Sequence, residues 1–473
     1  MRFTTLLTSA ISFGVALAAP AQLDKRYIQE ENGINYHVFE HAATGAKIRF
    51  VKNSGICETT PGVNQYSGYL SIGSNQNMWF WFFEARNNPT TAPLATWFNG
   101  GPGCSSMIGL FQENGPCHFV NGASTPSNNT FSWNNFANML YVDQPIGTGF
   151  SYGTDDVSST VQAAPEVWRL IQAFYGQFPQ YTNRDFGIFT ESYGGHYGPE
   201  FASYFESQNA AIKSGSISGT NVNLVALGIN NGWFDPKIQY QAYIDYSTSN
   251  KYNQILSSSQ ASSYHSSYNS QCGPALSKCT GLTGSNSACE NAENTCYQTI
   301  EGPISNNGNF DVYDVRAPSN DPNPPETYAN YLAQSSVVKA IGAQSTYQEC
   351  PNGPYSKFSS TGDDSRSLSS TLASVVNSGI RVVIWAGDAD WICNYLGGFN
   401  VVNALPWSQQ SAFANLQLKS YTVAGTARGL YKSLANLSWL QVYAAGHEVP
   451  FYQPATALQV FKQTMSKAPL SGT

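Results

Sequence analysis

Seven short apolar runs recur along the chain from about residue 66 onward, and patterns typical of helices separate several of them. Several runs are hydrophobic at almost every position, which indicates strands that are buried on both faces. The runs end near Gly, Pro, Asn or Asp, residues that commonly terminate strands. They cover residues 78–85, 94–99, 138–145, 186–192, 223–232, 381–388 and 439–446. Strands that alternate with helices predict an α/β fold with a central, mostly parallel sheet flanked by helices.

One helix is predicted over residues 161–179. Its apolar positions follow the spacing of a helical face, and a glycine and a proline end the pattern. These positions are Val161, Val167, Leu170, Ile171 and Phe174. The helix follows the strand predicted at 138–145, so it fits one βαβ unit of the sheet.

The sequence changes character between about residues 236 and 365, where Ser, Asn, Gln and Gly are abundant. Strong apolar runs resume only at residue 381. We interpret 236–365 as a cap insertion held by disulfides, which divides one α/β domain into the segments 27–235 and 366–473. The cysteines in this range are Cys272, Cys279, Cys289, Cys296 and Cys350.

The composition is that of a globular chain with few charges. Of its 473 residues 41% are hydrophobic and 11% are charged, and 28 Tyr, 26 Phe and 10 Trp supply a large core. The formal net charge of -7 argues against nucleic acid as a partner, because phosphate binding requires a basic surface. Few charges combined with many Tyr, Asn, Ser and Gly residues are typical of a stable secreted enzyme.

The first residues predict export from the cytosol. Residues 1–18 contain a basic residue, an apolar stretch and an Ala-x-Ala end at Ala18, the pattern of a secretory signal peptide. Lys25 and Arg26 form a dibasic pair suited to a kexin-like protease, so 19–26 is interpreted as a short propeptide; two ordinary surface charges are the alternative. No later segment predicts a membrane span or a lipid anchor. We expect a secreted protein, with the vacuole as the alternative location.

Nine cysteines fit an oxidising compartment, and an odd number leaves at least one thiol unpaired. No two cysteines have the C-x-x-C spacing of a zinc ribbon, so we expect no metal site. Glycosylation sequons begin at Asn128 and Asn436, although such triplets also arise by chance.

Ser192 lies in the stretch IFTESYGGHYG, between a predicted strand and a plausible helix. A nucleophile elbow requires this context, because the strained turn that exposes the serine needs small residues around it. The usual motif is G-x-S-x-G. Here Thr190 replaces the first glycine, whereas Gly194 keeps the second. The motif alone would also fit an ordinary serine in a loop.

A serine nucleophile requires a base, and the base requires an acid that orients it. In α/β-hydrolases these groups follow the serine in the order acid, then histidine, at the ends of later strands. His196 lies in the outgoing helix and His265 in the polar insertion, whereas His447 directly follows the strand predicted at 439–446. His447 is therefore the predicted base.

Two carboxylates could supply the acid. Asp388 and Asp390 both lie at the end of the strand predicted at 381–388, and either could reach a neighbouring loop. A single carboxylate at a strand end often only caps a turn. The order serine, aspartate, histidine, with each residue at a strand terminus, is much less common by chance.

An oxyanion hole needs two N–H groups that converge on the developing negative charge. Tyr193, which follows the nucleophile, would supply one. The glycine-rich segment 96–106 would supply the other through Gly101, where the backbone can approach closely because there is no Cβ. A plain glycine turn is the alternative reading of that segment.

Five blocks of the sequence together resemble the serine carboxypeptidase family, whose members have the α/β-hydrolase fold. The blocks are WFNGGPGCSS, DQPIGTGFSY, TESYGGHY, GDADWICNYLG and AGHEVP, in that order. The resemblance extends from about residue 66 to the C-terminus. The chain departs from the family at Thr190, where glycine is common, and in the cap, which varies among members.

The resemblance implies that Asp390 rather than Asp388 is the acid, because Asp390 precedes Cys393 by three residues. Cys393 resembles the free thiol that the family has near its substrate site; a buried inert thiol is the alternative. The resemblance also implies a Cys104–Cys350 disulfide. Eight cysteines allow 105 pairings, and for the rest we expect Cys57–Cys117, Cys272–Cys296 and Cys279–Cys289.

An exopeptidase must recognise the terminal carboxylate of its substrate, and the family does so with hydrogen bonds. The matching groups here are Trp97, Asn99, the N–H of Gly100, Glu113 and Glu191. An ionised glutamate repels a carboxylate, so this arrangement requires a shared proton and a raised pKa for at least one glutamate. Substrate binding should therefore be favoured at acidic pH.

We expect a serine carboxypeptidase that releases C-terminal amino acids from peptides through an acyl-enzyme, without a cofactor or a metal. An acyltransferase or esterase on the same scaffold is the alternative, and a non-catalytic binding protein with a hydrolase fold is a remote one. The expected partners are the C-termini of peptides or proteins. The sequence indicates neither the oligomeric state nor the preferred substrate side chains.

Overall fold

The computed structural model describes residues 24–40, 47–120, 122–319 and 324–473. The predicted signal peptide at 1–18 and most of the predicted propeptide at 19–26 lie outside these residues. Lys25 and Arg26 are described, and they begin the first strand.

Sixteen strands occur in the described residues. They are β1 Lys25–Glu31, β2 Ile34–Glu40, β3 Lys47–Lys52, β4 Gln65–Gly73, β5 Gln76–Phe83, β6 Leu94–Phe98, β7 Cys117–His118, β8 Ser127–Asn128, β9 Asn138–Asp143, β10 Tyr152–Gly153, β11 Phe186–Glu191, β12 Leu224–Asn230, β13 Arg381–Gly387, β14 Lys419–Val423, β15 Thr426–Leu434 and β16 Leu437–Val442. Strands β7 and β8 form a separate small ribbon, and the other strands belong to one sheet.

The main sheet has the strand order β1-β2-β3-β4-β5-β9-β6-β11-β12-β13-β16-β15-β14, with β10 paired to β5. The six strands from β9 to β16 in this order run parallel to one another. Antiparallel strands extend the sheet on both sides. The carboxyl ends of the parallel strands therefore meet at one edge, where ligands bind in open α/β sheets.

Helices cover both faces of the sheet. They are α1 Thr160–Gln177, α2 Gly194–Lys213, α3 Pro236–Ser249, α4 Ser258–Ser267, α5 Gly273–Leu276, α6 Asn286–Cys296, α7 Gly302–Asn307, α8 Thr327–Leu332, α9 Ser335–Ile341, α10 Asn352–Ser359, α11 Ser369–Ser378, α12 Tyr395–Ala404, α13 Gln410–Ala414, α14 Val449–Tyr452 and α15 Pro454–Met465. None of the described helices is long and apolar enough to cross a membrane.

Strand β5 shows how one apolar run fills two cores. Phe80 and Phe82 point to the face covered by α1 and α2, whereas Trp79, Trp81 and Phe83 point to the face covered by α15. Successive side chains of a strand alternate between faces, so a run without polar residues satisfies both.

The region predicted as the cap, 236–365, is helical in its described part. Helices α3 to α7 form a third apolar cluster that includes Cys272, Cys279, Cys289 and Cys296. Trp391 of the α/β domain packs in this cluster, where its ring stacks on Tyr243 of α3 with centroids 4.3 Å apart. The cap is thus anchored beside the loop that carries Asp390.

The structure also differs from the sequence predictions. Among the longer strands, β1 to β4 and the hairpin β14–β15 were not predicted, because polar or charged residues interrupt their apolar positions. The predicted helix at 161–179 is α1, which ends at Gln177. Val161 does not belong to its buried face: 42% of its side-chain surface is exposed.

Candidate active site

Ser192 occupies a strained turn between β11 and α2. Its φ angle is +62°, in the left-handed region that residues other than glycine rarely adopt. Three backbone hydrogen bonds hold it there: Ser192 N–H donates to the carbonyl of Asn230 (3.1 Å), and its own carbonyl accepts from Gly195 and Trp233 (2.9 Å each). Strain of this kind persists only where the surroundings impose it, and it commonly marks a functional site.

Thr190 fits this turn because Gly194 has no side chain. A Cβ at Gly194 would lie 2.4 Å from the Thr190 Cβ, a distance that real contacts do not allow. The Thr190 hydroxyl donates to the Gly194 carbonyl at 2.9 Å. The departure from G-x-S-x-G is therefore accommodated within the turn.

His447 and Asp390 form a buried pair. The distance from His447 Nδ1 to Asp390 Oδ2 is 3.0 Å, and the side chains are 7% and 0% exposed. Because a carboxylate only accepts, the Nδ1 proton lies toward Asp390 and Nε2 is left as an acceptor. Burial lowers the pKa of His447, but the Asp390 charge and hydrogen bond more than offset it, and the pKa is raised above 6.5. His447 and Ser192 line one cavity of about 890 Å³.

The two candidate acids have different partners. Asp390 Oδ2 also accepts hydrogen bonds from Asn231 Nδ2 (2.7 Å) and from the backbone of Cys393 (3.1 Å). Asp388 instead forms an ion pair with Lys251 of the segment after α3 at 2.7 Å, and it accepts from the Tyr252 hydroxyl at 2.6 Å. Asp388 thus ties the cap to β13 and does not contact His447 in this arrangement.

The other histidines that follow Ser192 are engaged elsewhere. His196 is fully buried in α2, where its Nδ1 lies 2.6 Å from the Trp233 carbonyl, and burial lowers its pKa. His265 pairs with Asp245 on the cap surface at 3.1 Å.

The glycine-rich loop lies directly against the serine turn. A Cβ at Gly100 would lie 2.4 Å from the backbone nitrogen of Tyr193, and Gly101 has φ +110°. Asp143 at the end of β9 holds this loop in place. Its Oδ1 accepts from the Ser105 hydroxyl (2.7 Å) and from the Ser106 N–H (3.0 Å). Burial raises the pKa of Asp143 to about 7.

The groups expected to bind a carboxylate lie together beside Ser192. Asn99 Oδ1 accepts from the Trp97 indole (2.7 Å) and from the Gly109 N–H (2.9 Å), which fixes the orientation of the amide. Asn99 Nδ2 then faces Glu113 Oε1 at 3.4 Å and Glu191 Oε1 at 3.3 Å. The second Glu113 oxygen is buried without a hydrogen-bond partner in the described residues.

This crowding changes the acidity of the glutamates. Burial, followed by the charges of Glu191 and Glu448, raises the pKa of Glu113 well above its usual value. Burial also raises the pKa of Glu191, although the charge of His447 opposes the rise. Glu448 belongs to the same coupled group, and its pKa is raised by burial and by nearby glutamates. The sequence analysis missed Glu448, although its position next to His447 in AGHEVP could have indicated it.

The cavity is strongly acidic. None of its described lining residues is a lysine or arginine. The acidic side chains that line it are Glu191, Asp311, Glu326, Glu349 and Glu448.

Four disulfides occur, and they join the pairs expected from the sequence: Cys57–Cys117, Cys104–Cys350, Cys272–Cys296 and Cys279–Cys289. Cys393 is a buried free thiol whose pKa is raised, first by burial and then by the Asp390 charge. A thiol of this kind is a poor nucleophile.

The two sequons differ in their surroundings. Asn128 is exposed on β8, although Arg86 donates to its side-chain oxygen. Asn436 is half-buried, and its Nδ2 donates to the carbonyls of Val376 (2.7 Å) and Ile380 (2.6 Å). A glycan on this nitrogen would remove one of these bonds.

Within the described ranges, no group of three or more His, Cys, Asp or Glu side chains is arranged to hold a metal ion.

Comparisons with known proteins identify the family of this chain. The family model described as serine carboxypeptidase matches residues 55–467. The chain is 69% identical over 424 residues to carboxypeptidase S1 of Penicillium janthinellum, which covers 90% of this chain and 100% of that protein. It is 35% identical to a carboxypeptidase S1 homolog A of Arthroderma otae, over 88% of this chain and 75% of that protein.

A solved structure has the same fold. The crystal structure of Kex1(delta)p, a prohormone-processing carboxypeptidase from Saccharomyces cerevisiae, superposes with a TM-score of 0.73 at 23% identity, covering 85% of this chain and 91% of that chain. This match and the family model confirm the predicted α/β-hydrolase fold. The chain belongs to the serine carboxypeptidase family and is a serine-type carboxypeptidase.

Proposed function

We propose that Ser192, His447 and Asp390 are the catalytic residues with which this carboxypeptidase releases C-terminal amino acids. The observation that carries the proposal is the buried His447–Asp390 contact at the cavity that the strained Ser192 also lines. Release of a free amino acid from an N-blocked dipeptide tests the activity, and loss of that release in a Ser192→Ala variant tests the assignment.

The proposed reaction has two steps. Ser192 Oγ bonds to the last peptide carbonyl while His447 Nε2 takes the hydroxyl proton, and the C–N bond then breaks as His447 gives that proton to the leaving amine. Water then attacks the acyl-enzyme with His447 again as the base, and the ester bond breaks as His447 returns that proton to Ser192 Oγ. In both steps the N–H groups of Gly101 and Tyr193 would stabilise the oxyanion.

The terminal carboxylate would bind at Asn99 with the help of one shared proton. Asn99 Nδ2 donates toward it, as would the N–H of Gly100, while the Trp97 indole keeps its bond to Asn99 Oδ1 and holds the amide in this orientation. Glu113 keeps its proton at acidic pH because its pKa is raised, and it can then donate as well. Once that proton leaves, the pocket repels the substrate.

The first prediction concerns the pH dependence of KM. For a peptide with a free C-terminal carboxylate, KM should rise at least about tenfold between about pH 5 and pH 8, since one pKa unit corresponds to about 1.4 kcal/mol. The sign follows from the raised pKa of Glu113, which keeps the pocket protonated until the pH passes that value. The measurement is KM against pH for the wild type and for Glu113→Gln/Glu191→Gln.

A C-terminal peptide amide is the matched control, since it lacks the carboxylate and its KM should not rise in the same way. The raised pKa of His447 affects kcat on the acidic side, so kcat and KM must be separated. An unchanged KM profile in the double variant would refute the shared-proton proposal.

The acidic cavity indicates a preference for basic side chains. Glu448 follows His447 and interacts with Glu113 and Glu191, so it lies on the side of the cavity that would hold the leaving residue. One of its oxygens is buried without a partner in the described part of the chain. A Lys or Arg side chain would supply the missing donor at a pH above the raised pKa of Glu448, where this carboxyl is ionised, so the preference should be measured there.

The second prediction tests this preference with Glu448→Gln. The ratio of kcat/KM for a peptide ending in Arg to that for one ending in Leu should fall about tenfold, which corresponds to about 1.4 kcal/mol. Glu206→Gln, on α2, is the control for loss of one negative charge outside the cavity lining. Equal ratios in Glu448→Gln and wild type would contradict the assignment.

The same scaffold could transfer acyl groups, and this is the alternative activity. Product analysis separates the two, since hydrolysis releases both halves of the peptide and transfer moves the acyl half to an added acceptor.

The signal-like N-terminus supports secretion, or delivery to the vacuole. The proposal also includes the domain limits, with an α/β domain at 27–235 and 366–473 and a cap at 236–365.

A further inference from the structure

The phenol of Tyr193 is anchored at a distant aspartate. Its hydroxyl donates to Asp363 Oδ2 at 2.7 Å, and both side chains are almost fully buried. The Tyr193 ring stacks on His196 with centroids 4.6 Å apart. Burial and the Asp363 charge raise the pKa of the phenol, so it remains a donor. The Tyr193 side chain is therefore fixed by a hydrogen bond at its hydroxyl and by stacking along its ring.

Asp363 lies near the end of the predicted cap region, and α1 and other parts of the cap hold it in place. Its Oδ2 also accepts from the Thr160 hydroxyl (2.6 Å) and the Thr160 N–H (3.0 Å) at the start of α1. The preceding Gly362 has φ +62°, and a Cβ there would lie 2.0 Å from the backbone nitrogen of Glu290 in α6. Arg366 donates to the carbonyls of Gly281 and Gly284 in the cap. The turn that carries Asp363 is thus packed on the disulfide-linked part of the cap.

This connection bears on the oxyanion hole, and the argument rests on the role proposed above for Tyr193. Ser192 is strained at φ +62°, and relaxation of that strain would rotate the peptide between Ser192 and Tyr193. The rotation would turn the Tyr193 N–H away from the oxyanion. A Tyr193 side chain that is bonded at its hydroxyl and packed along its ring opposes the rotation.

We propose that Asp363 is a positioning residue: through the Tyr193 hydroxyl it holds the Tyr193 N–H in the oxyanion hole and so links the cap to catalysis. A displacement of about 1 Å at a reacting centre can cost about 100-fold in rate. Asp363 does not need to touch the substrate for this effect.

The test is Tyr193→Phe, which removes only the hydroxyl. We expect kcat to fall roughly 10- to 100-fold with little change in KM. Affinity for a peptide aldehyde, whose adduct with Ser192 places an oxyanion in the hole, should fall by the same factor. Binding of a product amino acid, which forms no oxyanion, should not change.

Tyr181→Phe is the matched control, since Tyr181 is as buried and its hydroxyl donates to Glu84 at 3.2 Å outside the cavity lining. It should lower Tm comparably and leave kcat unchanged. Asp363→Asn keeps an acceptor oxygen and should retain most activity, whereas Asp363→Ala should resemble Tyr193→Phe. The kcat of the double variant Tyr193→Phe/Asp363→Ala should be no lower than that of the less active single variant, because both changes remove the same hydrogen bond.

Unchanged kcat and aldehyde affinity in a folded Tyr193→Phe variant would overturn the proposal, as would losses that Tyr181→Phe shares. If Asp363→Ala fails to fold, Tyr193→Phe alone still decides. Failure of the wild-type enzyme to bind the aldehyde would instead refute the proposed active site itself.

Discussion

Replacing Ser192 by alanine should lower kcat for peptide hydrolysis by about five orders of magnitude or more. The variant lacks the only atom that can form the acyl-enzyme at this position, and the remaining groups can at most assist attack by water. The small side chain fits the turn, although alanine must also adopt φ near +62°. Steady-state release of amino acids from an N-blocked dipeptide measures the effect.

Binding provides the control for this prediction. Ser192→Ala should retain affinity for peptides with a free C-terminal carboxylate, because Asn99, Glu113 and Glu191 are untouched. Ser105→Ala removes another buried hydroxyl near the site, at the loop that Asp143 holds, and it should lower activity far less. Peptidase turnover in Ser192→Ala close to that of the wild type would show that the nucleophile lies elsewhere.

The parallel part of the sheet could be read from the sequence, because its strands are apolar on both faces. Every apolar run predicted from residue 78 onward corresponds to a strand, from β5 to β16. Strands with one exposed face, such as β1 and β15, carry mixed patterns that a single sequence does not separate from loops. Local pattern thus predicts strands that are apolar at almost every position and misses strands with interspersed polar residues, including β4 in the interior of the sheet.

The predicted site residues could be selected because each follows a parallel strand. The ends of β11, β13 and β16 lie at the same edge of the sheet, with only β12 between β11 and β13, so Ser192, Asp390 and His447 converge although they are far apart in the chain. Residues that act through contacts with the cap were not predicted. Asp363 owes its surroundings to tertiary packing, which no spacing in the sequence reveals.

The surroundings of the two aspartates lead to the second large prediction. Asp390→Asn should lower kcat by up to about 10⁴-fold near neutral pH, because the imidazolium that forms during the reaction loses the negative charge that stabilises it. The donors His447 Nδ1, Asn231 Nδ2 and the Cys393 N–H all point to one oxygen of Asp390, so the amide oxygen can take that place and keep these bonds. The orientation of His447 is then retained, but the charge that stabilises its protonated form is lost.

Asp388→Asn is the matched control, because it makes the same chemical change two residues away in the same loop, at a carboxylate that does not contact His447. Asp388 pairs with Lys251, which is 57% exposed, so the loss of this ion pair should lower Tm modestly and change kcat less than about threefold. Asn can still accept from the Tyr252 hydroxyl and the Ala444 N–H through its side-chain oxygen.

The pH dependence separates a lost acid from a damaged fold. The Asp390 charge raises the pKa of His447, so its removal lowers that pKa, and the acidic limb of the kcat profile should move to lower pH in Asp390→Asn. Asp388→Asn should leave the limb in place. Equal losses of kcat in the two variants, or an unshifted limb in Asp390→Asn, would show that the carboxylate at position 390 does not act on His447.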